Sequence, residues 1–291
     1  MKTALLAIAF LITTSADSQV LFDDFHYNRQ SQMTKNGWIV RSAAGWPGVP
    51  GAQWQKDLHF IQEGTIRFVR MNASTDGTPE NTTQAQICHQ RKYLEGTYAS
   101  RVRFSDKPVA GPRGDKIVET FYFIAPLMEP MDLNYSEIDF EYLPNGGWGK
   151  EGPTMFATTW ETFHPEPEWK ADNESTSLSG SYHGWHQLVA QVGGGIVKYF
   201  LDGKPFAEHG DRVYPEEMMS INFNLWFIRD GLLEKGEMRK WQEDIDWVFF
   251  STARLSPQEV DEQVLGLRSK GVRFRDTVRA PEPRPASPCD F

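Results

Sequence analysis

Only two cysteines, Cys88 and Cys289, occur in 291 residues, so at most one internal disulfide is available, and sequence leaves open whether they pair. No Lys/Arg-rich run is present, and acidic residues outnumber basic ones by 39 to 30, a formal net charge of −9. Nucleic acid needs clustered positive charge and is excluded as the main partner. There is no phosphate loop, no serine elbow with histidine and aspartate, and no cysteine–histidine pair, so those chemistries lack their carriers. Apart from a C-terminal segment, nothing has helical periodicity over three turns, and no internal repeat occurs. The apolar run Ala4 to Ile12 is too short for a permanent bilayer anchor. With Lys2 before it and the small polar stretch Thr13 to Ser18 after it, it reads as a signal peptide spanning 1–18, cut after Ala16 or Ser18. The expected product is secreted, extracellular or periplasmic, with no membrane contact after cleavage.

What is present is ordinary in bulk and unusual in detail. Hydrophobic residues make 40% and charged residues 24%, as in folded soluble proteins, which excludes general disorder. Aromatics reach 13%, with 10 Trp, 9 Tyr and 19 Phe, an excess that packs a β core, lines a groove, or does both. Short alternating segments separated by Gly, Pro, Asn and Asp run from about 20 to 250. Among them are 64–69, 97–104, 118–124 and 185–192. Asp202-Gly203 between two extended runs predicts a hairpin, because a type I′ turn needs positive φ at both central residues. The pattern predicts an all-β domain over 19–250, a sandwich or jelly roll. Beyond it, over 251–291, Ser256-Pro257-Gln258-Glu259 predicts a capped helix with Val260, Val264 and Leu267 on one face and Gly271 at its end. A proline-rich tail read as extended or loosely ordered follows.

The sharpest local feature is Tyr135-Ser136-Glu137-Ile138-Asp139-Phe140-Glu141-Tyr142. On a strand, Ile138, Phe140 and Tyr142 share one face, and Tyr135, Glu137, Asp139 and Glu141 the other. Three like charges in a row repel, so water, a metal ion or protonation must compensate. Glycoside hydrolysis uses such a set: an ionised carboxylate as nucleophile and a protonated carboxyl as general acid. A third acid between them raises its neighbours' pKa values and can hydrogen-bond them. Residues four apart on a strand lie roughly 13 Å apart at Cα, so the outer pair must lean inward on a curved sheet.

Glu137-x-Asp139-x-Glu141 with Ile138 and Phe140 between resembles the signature of glycoside hydrolase family 16. Phe22-Asp23-Asp24-Phe25, Trp185 to Leu188, Lys198 to Lys204, Ser220 to Trp226 and Asp244 to Val248 are similar to other strands of that family in order and spacing. The resemblance covers about residues 20–250. It implies a jelly-roll sandwich of two curved antiparallel sheets with a concave cleft. It also implies Glu137 as nucleophile, Asp139 as orienting carboxylate and Glu141 as acid/base. The single residue between successive acids is that of the lichenase-like branch, many of whose members carry Trp where this chain has Tyr135.

Tyr135, Trp148, Trp160 and Trp226 are candidate sugar contacts, since pyranose C–H faces pack on aromatic rings. Asp246 is a candidate ligand of a structural calcium, because some family members bind a cation near the final strand; no cofactor is required. Glu119, among aromatics in a strand, is a decoy acid, and His183 and His186 read as structural or surface residues. The expected activity is retaining, endo-acting hydrolysis of a β-glucan-type polysaccharide by a monomer. The alternatives are a transglycosylase with the same carboxylates and a non-catalytic lectin-like sandwich.

Overall fold

The structure, a computed structural model, describes residues 18–290. The expected signal segment falls outside the described residues except for Ser18. Among the described residues no helix is long and apolar enough to cross a membrane.

Two antiparallel sheets stack face to face. The first runs, in spatial order, Ile39–Val40, Thr83–Cys88, Ser220–Phe227, Ile117–Ala125, Ser136–Leu143, Thr154–His164, Lys170–Ser179. The second runs His59–Glu63, Ile66–Thr75, Arg239–Ser251, Gly96–Phe104, Gly184–Gly193, Ile196–Leu201, Lys204–Gly210. Val20–Asp23 pairs with the far half of Arg239–Ser251. The turn at Asp202-Gly203 has φ of 50° and 74°, the two positive values that the hairpin requires.

Alternation explains the stacking. Phe121, Phe123, Ile138, Phe140, Tyr142, Phe223 and Leu225 of the first sheet meet Tyr98, Val102, Phe104, Tyr199, Trp241 and Ile245 of the second in one buried core. The other face of the first sheet is thereby left to carry a site. The outer face of the second sheet is covered by the C-terminal helix, Pro257–Ser269, with its predicted capping box at Ser256 and Glu259. Val260 and Val264 pack there on Phe22, Ala99, Val189, Trp247 and Phe249, and each buried valine contributes about 1.5–3 kcal/mol.

The segment after the helix, including the end of the proline-rich tail, is tied to the sheets. Phe274–Asp276 pairs with Val20–Asp23, Val278, Ser287 and Cys289 are buried, and Cys289 is bonded to Cys88 with a sequence separation of 201. Closing so long a loop restricts the unfolded chain and stabilises the fold by roughly 2–5 kcal/mol.

Candidate active site

The acidic strand Ser136–Leu143 is the fifth of the seven strands of the first sheet, between Ile117–Ala125 and Thr154–His164. Ile138, Phe140 and Tyr142 point into the core, so Glu137, Asp139 and Glu141 stand on the opposite face. Directly beside them, across the two neighbouring strands, are Ile124, Tyr122 and Thr120 on one side and Trp160, Thr158 and Phe156 on the other. Glu137 and Glu141 are half-buried and Asp139 is 4% exposed, so the outer acids reach a furrow while the central one is sealed.

Each acid has its own donor. The Tyr135 hydroxyl donates to Glu137. Trp160 Nε1 donates to Asp139 Oδ2 at 2.8 Å, and Trp148 Nε1 to Glu141 Oε2 at 3.0 Å. Burial, joined by mutual repulsion at Glu137 and Asp139, lifts all three carboxyls above the usual range, Asp139 the most firmly. A hydrogen bond between Asp139 and Glu137 favours the proton on Asp139 and the charge on Glu137. Glu137 therefore gathers two donors, Tyr135 and protonated Asp139, whereas Glu141 has one. Burial still leaves Glu137 raised to about 8 and Glu141 to about 7, so the extra donor at Glu137 offsets only part of the cost of burying its charge.

Aromatic clusters wall both sides of the furrow. Beyond Glu137 stand Tyr122, Ile124, Tyr135 and Phe163 with Trp160 against them. Beyond Glu141 stand Val118, Leu143 and Phe156 with Trp226, and the Trp148 ring lies 5.9 Å from that of Trp226. The six residues predicted from the acidic motif and the tryptophans, Glu137, Asp139, Glu141, Trp148, Trp160 and Trp226, thus come together. Their roles are not all those expected. Tyr135 is 3% exposed, its ring packed edge-on against Phe163 at 5.3 Å, so it holds Glu137 and offers a sugar little surface. Trp160 is likewise committed to Asp139, while Trp148, 45% exposed, keeps a free face.

Asp246 stands apart from the site, at an irregularity in the second sheet between Ile245 and Trp247. Its carboxylate accepts from Arg101 Nη1 and Arg268 Nη2, both at 2.7 Å. The charge that was expected to attract a calcium ion is thus compensated by two guanidinium groups. Among the described residues no group of three or more His, Cys, Asp or Glu side chains is arranged to hold a metal. The decoy Glu119 points between the sheets, away from the furrow, and is fully buried.

No protein-family model and no curated protein matches the sequence. Solved structures do. A prokaryotic β-1,3-1,4-glucanase (lichenase) derived from a mouse hindgut metagenome aligns over 80% of this chain and 98% of its own, with TM-score 0.56 and 16% identity. A family 16 endo-glucanase from Bacteroides ovatus, in complex with G4G3G-2F-DNP, aligns over 78% and 98%, with TM-score 0.58 and 13% identity. The kappa-carrageenase from Pseudoalteromonas carrageenovora, in complex with an oligotetrasaccharide of kappa-carrageenan, aligns over 84% and 99%, with TM-score 0.55 and 10% identity. The chain shares their fold. It is the jelly roll of the family 16 glycoside hydrolases, as the acidic motif led one to expect.

Several residues of the furrow escaped the sequence reading. Phe163 lies past a register shift between Trp160 and Thr162; strict alternation from Trp160 puts it on the core face, and the shift turns it onto the furrow face instead. Trp46, Phe163 and Trp169 form a continuous aromatic surface, with centroids 5.8 Å apart for the first pair and 5.6 Å for the second. Trp46 sits in a Gly/Pro loop, where no periodicity exists to reveal it.

Proposed function

We propose that this protein is a secreted, monomeric retaining glycoside hydrolase acting on O-glycosidic bonds of a β-glucan-type polysaccharide. Glu137, charged and held by Tyr135 and Asp139, attacks the anomeric carbon. Glu141 gives its proton to the departing oxygen and then takes one from the water that frees the glycosyl-enzyme, which makes the outcome retention. Protonated Asp139 fixes Glu137 and withdraws its hydrogen bond as the charge on Glu137 is consumed. The observation that carries this reading is that three acids on one face of one strand each accept a hydrogen bond from an aromatic side chain, the outer two at the floor of an aromatic-walled furrow. The structural likeness to glucanases and a carrageenase supports the same class of substrate.

The test is incubation with laminarin, lichenan, xyloglucan, agarose and carrageenan, following new reducing ends and the configuration of the first-formed anomer by proton NMR. The expected result is cleavage of at least one β-glucan with the β-anomer appearing first. Appearance of the inverted anomer sinks the nucleophile assignment, and elongated oligosaccharides without new reducing ends would replace hydrolysis by glycosyl transfer to sugar.

A further inference from the structure

The furrow face of the strand Thr83–Cys88 carries Gln84, Gln86 and Cys88, and chain from outside the sheet covers all three. Gln84 donates to the Pro47 carbonyl at 3.3 Å and accepts from the Val49 N–H at 3.2 Å. The approach is so close that a Cβ on Gly48 would lie 2.1 Å from Gln84 Oε1, and Gly48 has φ of +101°. Gln86 Oε1 accepts from Arg41 Nη1 at 2.8 Å. Arg41 in turn donates to the carbonyls of Ala43 at 3.1 Å and Trp46 at 2.9 Å, with its guanidinium 4.2 Å over the Trp54 ring. Arg41 is 6% exposed and its hydrogen-bond acceptors are neutral. A desolvated charge held this way fixes a loop, not an ion pair. Cys88, two residues on, is bonded to Cys289 of the tail.

From these anchors the loop reaches outward. Trp46 is 62% exposed, yet its ring meets Phe163 of Thr154–His164 at 5.8 Å. Phe163 lies four strand spacings from Thr83–Cys88, roughly 19 Å along the sheet. The contact therefore spans the furrow along its Glu137 side. The opposite margin, Lys170–Ser179, is the last strand of the sheet, and its residues are exposed or half-buried throughout.

We propose that the loop 41–54 and the disulfide-held tail close one margin of the furrow. The furrow then becomes a blind site that receives the end of a glycan chain, with Trp46 and Phe163 as its roof. This rests on the glycosidase reading and changes its specificity: a chain-end cutter releasing a short oligosaccharide replaces the internal cutter expected from sequence. Between the acidic strand and the closed margin lie three strand spacings, roughly 14 Å, room for a few sugar units and no more.

The experiment compares the full-length protein with Trp46→Ala and with Cys289→Ser on the polysaccharide it cuts best, following product length and viscosity per bond cleaved. Trp46 is exposed, so its loss leaves folding intact. The unaltered protein is expected to release one short product from the start with little loss of viscosity. Trp46→Ala is expected to give a ladder of lengths and a several-fold faster fall in viscosity per bond. Cys289→Ser is expected to shift the pattern the same way. A ladder from the unaltered protein, or an unchanged pattern in Trp46→Ala, overturns the blind site. If no polysaccharide is cut at all, the glycosidase reading has failed and binding judges the roof. Affinity electrophoresis in laminarin or lichenan gels should then show stronger retention of Trp46→Ala than of the unaltered protein, and equal retention overturns the proposal.

Discussion

One group of carboxyls stands on the furrow face of the first sheet, and another is buried against its core face. Glu137, Asp139 and Glu141 face the furrow, and each accepts a hydrogen bond from an aromatic side chain. Glu119 and Glu243 face each other between the sheets. Glu119 accepts only from the Ser105 N–H, at 3.0 Å to Oε2, and neither carboxyl oxygen of Glu243 has a hydrogen-bond partner among the described residues. Burial raises every one of these groups, so displaced titration by itself does not mark a catalytic site. What separates the trio is an aromatic donor for every member, together with a path to solvent for the outer two. The inner pair has neither, and its burial favours the neutral form.

The largest effect should come from the charge itself. Glu137→Gln is expected to lower kcat on the order of 10⁴-fold or more while polysaccharide binding persists. Turnover near the unaltered level would erase the difference between the two carboxyl groups. Glu141→Gln removes the proton carrier and is expected to cost about 10²–10⁴-fold on polysaccharide. Its signature is selective: aryl glycosides, whose leaving groups depart without a proton, should be cut far better than natural chains relative to the unaltered protein. Tyr135→Phe keeps the ring against Phe163 and deletes only the hydroxyl. Without that donor the Glu137 pKa rises further, so the acid limb of the pH–rate profile should move to higher pH and activity should fall roughly tenfold at neutral pH. An unmoved acid limb would mean that the tyrosine hydroxyl does not stabilise the nucleophile's charge.

The comparison also explains what sequence could and could not reveal. Alternation on one strand placed Glu137, Asp139 and Glu141 together because side-chain direction on a strand is local. Glu119 was separable as a decoy only in part, since its own strand is buried on both faces and its run of aromatics shows no polar side. The pairing of Cys88 with Cys289 and the placement of the tail depend on contacts across almost the whole chain, which no local pattern carries. Trp46 and Phe163 were invisible for related reasons: one lies in a loop without period, the other beyond a register shift. The pairing of Asp246 with Arg101 and Arg268 is likewise a tertiary property that its sequence neighbours do not show. The helix Pro257–Ser269, by contrast, was readable to the residue at its start, because capping is decided by three or four neighbours.

The smallest expected effect is the one that separates the two carboxyl groups by stability. Glu119 and Glu243 sit near Asp106 and Asp244, whose charges further oppose ionisation. Those two are themselves engaged, Asp244 by Arg70 and Arg103 and Asp106 by Tyr142 and Ser181. In the unfolded chain both glutamates lose their protons near the ordinary value of 4.5. In the folded chain they keep them to higher pH, so the native state binds more protons and stability falls as pH rises above that value. Glu243→Gln holds a neutral group of the same shape in place at every pH and can donate to Glu119. Urea unfolding from pH 4 to pH 9 should therefore show a flatter curve for the variant. It should match the unaltered protein near pH 4 and exceed it by about 1 kcal/mol or more at pH 8, equivalent to about 2–4 °C in Tm. Activity should not change, since the pair has no route to the furrow. Parallel stability curves for the two proteins would show that the inner carboxyls find compensation in the fold after all, and that the contrast with the trio lies in solvent access alone.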